Sequence, residues 1–265
     1  MTERPGSLQD RNFDDLADQF AKRVYGGAKG RIRLAMLERD LREAVPDLYG
    51  EGPRLRILDA GGGEGQFSLS LAALGHQVDL CDLSAEMVRR ARDRVAEVGM
   101  ADRMHCFQAS VQTLPDAGGY DLVLFHAVLE WVADPFVVLQ DVLRQVRPGG
   151  VLSLMFFNRH STLFRNVLRG FFKRVLAGDL QGKGVGLNPI SPLEPERVVQ
   201  WLREAGMAVG VQSGVRVFHD YLHHDIRKAM NEADLLELEK CYSRVEPYRS
   251  LARYYHVVAR KPENG

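Results

Sequence analysis

The segment Ile57-Leu58-Asp59-Ala60-Gly61-Gly62-Gly63-Glu64-Gly65 constrains this chain more than any other. The short apolar run Arg54–Asp59 reads as a β-strand, and it leads straight into a glycine-rich turn. Glycines there let the backbone take positive φ and approach a ligand with no Cβ in the way. A strand, a glycine turn and a following helix open a doubly wound α/β fold, whose ligands sit outside the carboxyl ends of the strands. Dinucleotide enzymes carry a comparable turn, but in the pattern G-x-G-x-x-G. Here an acidic residue, Asp59, comes first, in the pattern D-x-G-x-G. A pyrophosphate gains nothing from a carboxylate at that point, whereas the ammonium end of an amino acid does.

The rest of the chain alternates strands and helices. Gln66–Leu74 has helical periodicity closed by Gly75, Gln77–Cys81 reads as a strand, and Ser84 is an N-cap for a helix through Val98. His105–Gln108, Asp121–His126 and Val151–Phe157 read as further strands. Pro135–Val146 is the intervening helix, stopped by Arg147-Pro148-Gly149-Gly150. Alternation at this spacing means parallel βαβ units. Upstream, Phe13, Leu16, Phe20 and Val24, then Ile32, Leu34, Leu37 and Leu41, predict two helices broken at Gly26-Gly27, behind a loose tail over residues 1–9. Residues 159–190 form a basic, Gly-rich interruption too long for an ordinary connection. Regularity returns with a helix at Glu194–Glu204, a strand through Val209–Val217, an amphipathic helix at Ala229–Tyr242 and a last strand at Tyr254–Arg260. Residues 10–265 read as one domain.

Lys plus Arg and Asp plus Glu both number 35, so only a local basic patch could favour a polyanion. The three cysteines are far apart and form no zinc or disulfide pattern, Cys81 and Cys106 reading as core. No apolar stretch reaches the roughly 20 residues of a membrane span, and Met1–Leu8 lacks the apolar region of a signal peptide. The expectation is a cytoplasmic enzyme without metal or membrane partner.

Asp82 ends the second strand about 20 residues past the glycines, where doubly wound folds place an acceptor for ribose hydroxyls. A capping role is the plainer alternative, but Ser84 already fills it. With L-P at 114–115, D-L-V-L-F at 121–125 and R-P-G-G at 147–150, residues 54–260 resemble the class I methyltransferase superfamily. That resemblance implies a Rossmann-like, mostly parallel seven-stranded sheet and S-adenosyl-L-methionine as cofactor. It puts Gly61 and Gly62 at the methionine portion, Asp82 at the ribose, and Val111 and Gln112 at the adenine. Ser110 stands where the superfamily often has an acidic residue. His126, ending the fourth strand, is positioned for the sulfonium side; its bland reading is a locally satisfied strand-end histidine.

Q-D-R-N-F-D-D (9–15), Y-G (25–26), K-G-R-I-R (29–33), L-D-A-G-G-G-E-G (58–65), F-H-A-V-L-E-W-V-A-D-P (125–135) and G-V-R-V-F-H-D-Y (214–221) match a narrower group. They are similar to the bacterial tRNA 5-carboxymethoxyuridine methyltransferases, which esterify the carboxylate of that wobble base. The resemblance spans nearly the whole chain and implies that Arg33 pairs with the cofactor's carboxylate. It also implies a tRNA anticodon stem-loop as partner. A carboxylate is already ionised at neutral pH and needs no general base, so no catalytic residue is assigned with certainty. Candidates to hold the substrate carboxylate are Arg216 and His219, with Tyr25 and Arg159 further out. The alternative for Arg216 and His219 is ordinary alternation on a strand with one wet face. Arg165, Arg169 and Lys173 fall at helical spacing among Phe164, Phe171 and Phe172 and are the RNA-binding candidates, against the plain reading of a solvated helix face. Two rival functions remain: a small-molecule methyltransferase acting on a quinone or carboxylic acid, and a non-catalytic cofactor-binding regulator.

Overall fold

The computed structural model describes residues 10, 14, 27–115, 119–181 and 189–263. The expected tail, the first N-terminal helix beyond Asp10 and Asp14, and Tyr25 lie outside these residues. Seven strands form one sheet: β1 (Arg56–Ala60), β2 (Gln77–Asp82), β3 (Met104–Gln108), β4 (Tyr120–His126), β5 (Val146–Phe157), β6 (Ala208–Val215) and β7 (Tyr254–Arg260). Their order is β3-β2-β1-β4-β5-β7-β6. Strands β1 to β5 pair in parallel, and β7 runs antiparallel to both β5 and β6. The chain winds outward from β1 to β3, then returns to the other side at β4. That reversal opens a crevice at the carboxyl ends of β1 and β4.

Apolar side chains cover both sheet faces. On one side Ile57, Leu80, Leu122 and Leu124 pack with residues of α1 (Gly27–Ala44), α2 (Gln66–Ala73) and α3 (Ala85–Glu97). On the other, Leu58, Val123 and Phe125 pack with α4 (Pro135–Gln145) and, beyond the interruption, the helix Pro195–Glu204. This is why Leu122-Val-Leu-Phe125 reads as an unbroken apolar run instead of an alternating one. Each fully buried Leu or Val contributes about 1.5–3 kcal/mol.

Four boundaries differ from the sequence reading. Arg147-Pro148-Gly149-Gly150 does not separate helix from strand, because β5 already starts at Val146. Tyr120 pairs with Val146 and Leu122 with Val151, so the four residues are an excursion within the strand. Gly150 is required there, since a Cβ would stand 2.9 Å from two carbonyl oxygens. The strand before residue 217 stops at Val215, because Arg216 takes φ +64° and leaves extended backbone. Arg216 and His219 therefore sit in a buried turn, not on a strand with one wet face.

The basic interruption contains α5 (Arg159–Leu168) and α6 (Phe172–Leu176), separated where Gly170 takes φ +75°. Arg165, Arg169 and Lys173 consequently do not share one continuous helical face. Following the helix Pro195–Glu204 (α7), α8 (His224–Ala229) ends where the expected Ala229–Tyr242 helix was to begin, and that helix, α9, runs Glu232–Tyr242. Asn231 starts α9 by accepting from Ala233 N at 3.0 Å. A short α10 (Tyr248–Leu251) precedes β7. Among the described residues no helix is long and apolar enough to cross a membrane.

Candidate active site

A cleft opens at the carboxyl ends of β1, β2 and β4. Gly61, Gly63, Asp82, Val111, Gln112 and His126 all line it, with Asp10 from the N-terminal segment and Trp131 after β4. The glycine turn explains its shape. Gly61 and Gly63 take φ +70° and +57°, and a Cβ on Gly61 would stand 2.5 Å from a methyl of Val128. Gly63 N donates to Asp82 Oδ2 at 2.9 Å, and Ser84 N donates to Oδ1 at 2.9 Å. Asp82 is thereby fixed at the rim with lone pairs to spare, and burial pushes its carboxyl above the ordinary value. Ser84 Oγ caps α3 through Met87 N at 3.1 Å, as its position in the sequence suggests. Ser110 starts the 3₁₀ turn Val111–Thr113 at the cleft wall, accepting from Gln112 N at 3.3 Å.

Asp59, Gly62 and Arg33 stand behind this surface. Asp59 is buried, hydrogen-bonded to Ser68 Oγ, and raised to about 7 by desolvation. A Cβ on Gly62 would meet its carboxylate at 2.5 Å, so the acid braces the turn from within. Arg33 is buried, not a solvated helix arginine, and its guanidinium lies 4.7 Å from the ring centroid of Tyr254. His126 is kept neutral chiefly by burial.

Beside the cleft, an excess of cations gathers round one anion. Arg216 Nε lies 2.8 Å from Asp220 Oδ2, and its guanidinium is 5.2 Å from the ring centroid of Tyr254 that Arg33 also approaches. Arg253 stacks 4.0 Å from the Phe157 ring, with Nε 4.0 Å from Asp220 Oδ1. Burial, then the charge of Arg165, lowers Arg253 to about 9. Burial opposes ionisation of Asp220, but Arg216 and Arg253 outweigh it and hold the carboxyl well below its usual range. Glu130, buried beside Arg33 and Arg253, is raised to about 7 by desolvation. His219 Nδ1 stands 3.7 Å from Asp220 Oδ2, and both His219 Nδ1 and Arg253 Nε are buried without a hydrogen-bond partner among the described residues. Buried polar groups are normally satisfied, so the cluster keeps unused hydrogen-bonding capacity at His219 and Arg253.

The turn holding it is pinned by Glu239, whose carboxylate accepts from the backbone N–H groups of Val217, Phe218 and His219. Arg159 instead pairs with Glu194 at 3.3 Å, at the start of α5. Arg165 turns inward, half-buried in the field of Asp220 and Arg216, while Arg169 and Lys173 are exposed. Sequence reasoning missed Arg253, Asp220 and Glu130. Arg253 carries no local signal, because only the pairing of β7 with β5 brings it to Phe157.

Comparison with known proteins gives this geometry its context. Residues 58–154 match the family model for a methyltransferase domain. Among solved structures, magnesium protoporphyrin IX methyltransferase from Synechocystis PCC 6803 with bound SAH has TM-score 0.63 and 17% identity, covering 94% of this chain and 96% of that one. A [4+2]-cyclase shares the fold at TM-score 0.63 and 18% identity over 98% of this chain and 99% of its own, so fold alone leaves the reaction open. Ubiquinone biosynthesis O-methyltransferase of Xanthomonas axonopodis pv. citri is 31% identical over 60% of this chain and 65% of its own length. The tRNA 5-carboxymethoxyuridine methyltransferase of Escherichia coli K12 is 48% identical over 97% of this chain and 98% of its own. The chain is thus a class I methyltransferase that uses S-adenosyl-L-methionine. Within that class it belongs to the tRNA 5-carboxymethoxyuridine methyltransferase family.

The described residues fit the cofactor: a glycine cradle that side chains would fill, a fixed carboxylate at the rim, and an apolar wall of Leu83, Val111 and Trp131.

Proposed function

We propose that this chain methylates the carboxylate of 5-carboxymethoxyuridine at the tRNA wobble position, forming a methyl ester. The bound cofactor supplies an electrophilic methyl group on a sulfonium. Gly61 and Gly62 take its methionine portion, Asp82 its ribose, and Val111 and Gln112 flank its adenine. Asp59 stabilises the turn from behind, and Arg33 serves the carboxylate end of the methionine.

The carrying observation is the gathering of Arg216, Arg253 and Arg165 around Asp220, joined to the cleft through Tyr254, Arg33 and His126. Asp220 offsets only one of the three arginines and Glu130 is raised to about 7, so the substrate carboxylate meets a net cationic cluster. Such a nucleophile is ionised without help at pH 7. The residues need only hold it in line with the methyl group, and positioning alone supplies a large share of such a rate. The relative's name supplies the substrate, and the match to it includes the turn 214–221 and the helical interruption. The ubiquinone enzyme matches a much shorter stretch.

Exposed Arg169 and Lys173 and exposed Phe164, Phe171 and Phe172 flank the cluster on α5 and α6. They are the proposed contact to the anticodon stem-loop, cations meeting phosphate and rings stacking on unpaired bases. Replacing Arg169 and Lys173 by alanine should reduce the slope of log affinity for tRNA against log salt by roughly 1–2. Cofactor affinity should stay unchanged, and an unaltered slope would show that these cations are only solvated. A tRNA enzyme of this kind works in the cytoplasm. Mass spectrometry of wobble nucleosides tests the assignment: a strain lacking the gene should accumulate free 5-carboxymethoxyuridine and lose its methylated form.

A further inference from the structure

His126 reaches away from the cleft into a buried chain of hydrogen bonds that crosses the sheet. Its Nε2 lies 2.8 Å from Ser153 Oγ on β5, which lies 2.9 Å from His256 Nε2 on β7. His256 Nδ1 in turn lies 2.8 Å from Asp40 Oδ2 on α1. Ser153, His256 and Asp40 are all fully buried. The far end is anchored, because Arg39 and Arg244 both donate to Asp40 Oδ1 at 2.7 Å. Burial opposes ionisation of Asp40, but the bond from His256 and these arginines hold it well below the usual carboxylate range.

Proton positions follow from donor and acceptor counting. An ionised Asp40 can only accept, so His256 Nδ1 carries a proton. Two guanidiniums already balance the Asp40 charge, and a further buried cation beside them has no counter-charge, so His256 carries only its Nδ1 proton and its Nε2 accepts the one hydroxyl proton of Ser153. Ser153 Oγ is then an acceptor toward His126 and takes an N–H from it.

We infer that Ser153, His256 and Asp40 are positioning residues that hold neutral His126 with its proton on Nε2, so that an unprotonated Nδ1 faces the cofactor cleft. His126 lines that cleft, and no protein group bonds its Nδ1 among the described residues. The consequence is a choice between cofactor and product. An acceptor lone pair favours a cationic neighbour and gains nothing from a neutral one. The sulfonium of S-adenosylmethionine is cationic, and the thioether of S-adenosylhomocysteine is not. The opposite tautomer would point an N–H at the sulfonium and reverse the preference. This step rests on the reading that His126 meets the sulfonium end of the cofactor.

Two measurements on the full chain test it. Two-bond ¹⁵N–¹H correlation spectra of ¹⁵N-histidine-labelled protein should show His126 protonated at Nε2 and bare at Nδ1. In Ser153→Ala the His126 signals should lose that single-tautomer signature. Ser153→Ala should also weaken S-adenosylmethionine binding roughly five- to tenfold, as one lost hydrogen bond would, and S-adenosylhomocysteine at most about twofold. Ser153→Thr, which keeps the hydroxyl, should restore both the spectrum and the preference. A proton on Nδ1 in the wild type, or equal weakening of both ligands in Ser153→Ala, overturns the inference. His126→Ala binding both ligands as the wild type does would instead remove the underlying contact.

Discussion

Arg253→Met is expected to lower kcat/KM for the RNA substrate by roughly 10- to 100-fold, the loss of one charge-assisted hydrogen bond. Cofactor affinity should not change, since Arg253 does not line the cofactor cleft. Methionine keeps most of the contact with Phe157. Asp220 keeps Arg216 at 2.8 Å, so no buried anion is abandoned and the melting temperature should hold. Removing one of several crowded cations even relieves repulsion from Arg165. Kinetics of methyl transfer beside calorimetric titration of the cofactor check this. Wild-type kcat/KM in a folded Arg253→Met enzyme would place the substrate carboxylate elsewhere.

Asp82→Ala should weaken cofactor binding by about 2–3 kcal/mol, or roughly 30- to 150-fold, because a charged partner is lost from the ribose hydroxyls. The same carboxylate accepts from Gly63 N and Ser84 N, so the change also loosens the glycine turn. Asp82→Asn separates the two effects, since it keeps the shape and one acceptor while removing the charge. Because burial raises the Asp82 carboxyl, acidification should protonate it at a higher pH than an exposed aspartate. Affinity should therefore fall with decreasing pH sooner than an ordinary carboxylate would allow. Isothermal titration showing unchanged affinity in folded Asp82→Ala would remove Asp82 from the site.

How much of this was readable in advance follows the range of the interactions. The glycine turn, Asp82 and the Ser84 cap are local signals, and the structure puts them where their spacing implies. β7 was equally legible, since Tyr254–Arg260 is an unbroken strand pattern. The basic interruption misled because spacing assumes a continuous helix, and Gly170 at φ +75° breaks it. Arg216 misled for the mirror reason: a V-R-V pattern looks like a strand, but Glu239 captures the backbone from Val217 to His219 from a distant helix. The chain from His126 to Asp40 joins three strands and a helix over 216 positions of separation between its last two members. No window of sequence contains it.

The central claim is that the methyl group ends on a carboxylate, and the stability of the product bond tests it most directly. Purified enzyme, S-adenosylmethionine labelled in its methyl group, and tRNA from a strain lacking the gene should give labelled RNA. An ester releases its alcohol in mild alkali, whereas methyl on nitrogen, carbon or an ether oxygen stays attached. The account predicts that mild base frees the label quantitatively as methanol and leaves 5-carboxymethoxyuridine at the wobble position. Label that survives on the nucleoside, or RNA that never becomes labelled, would contradict it.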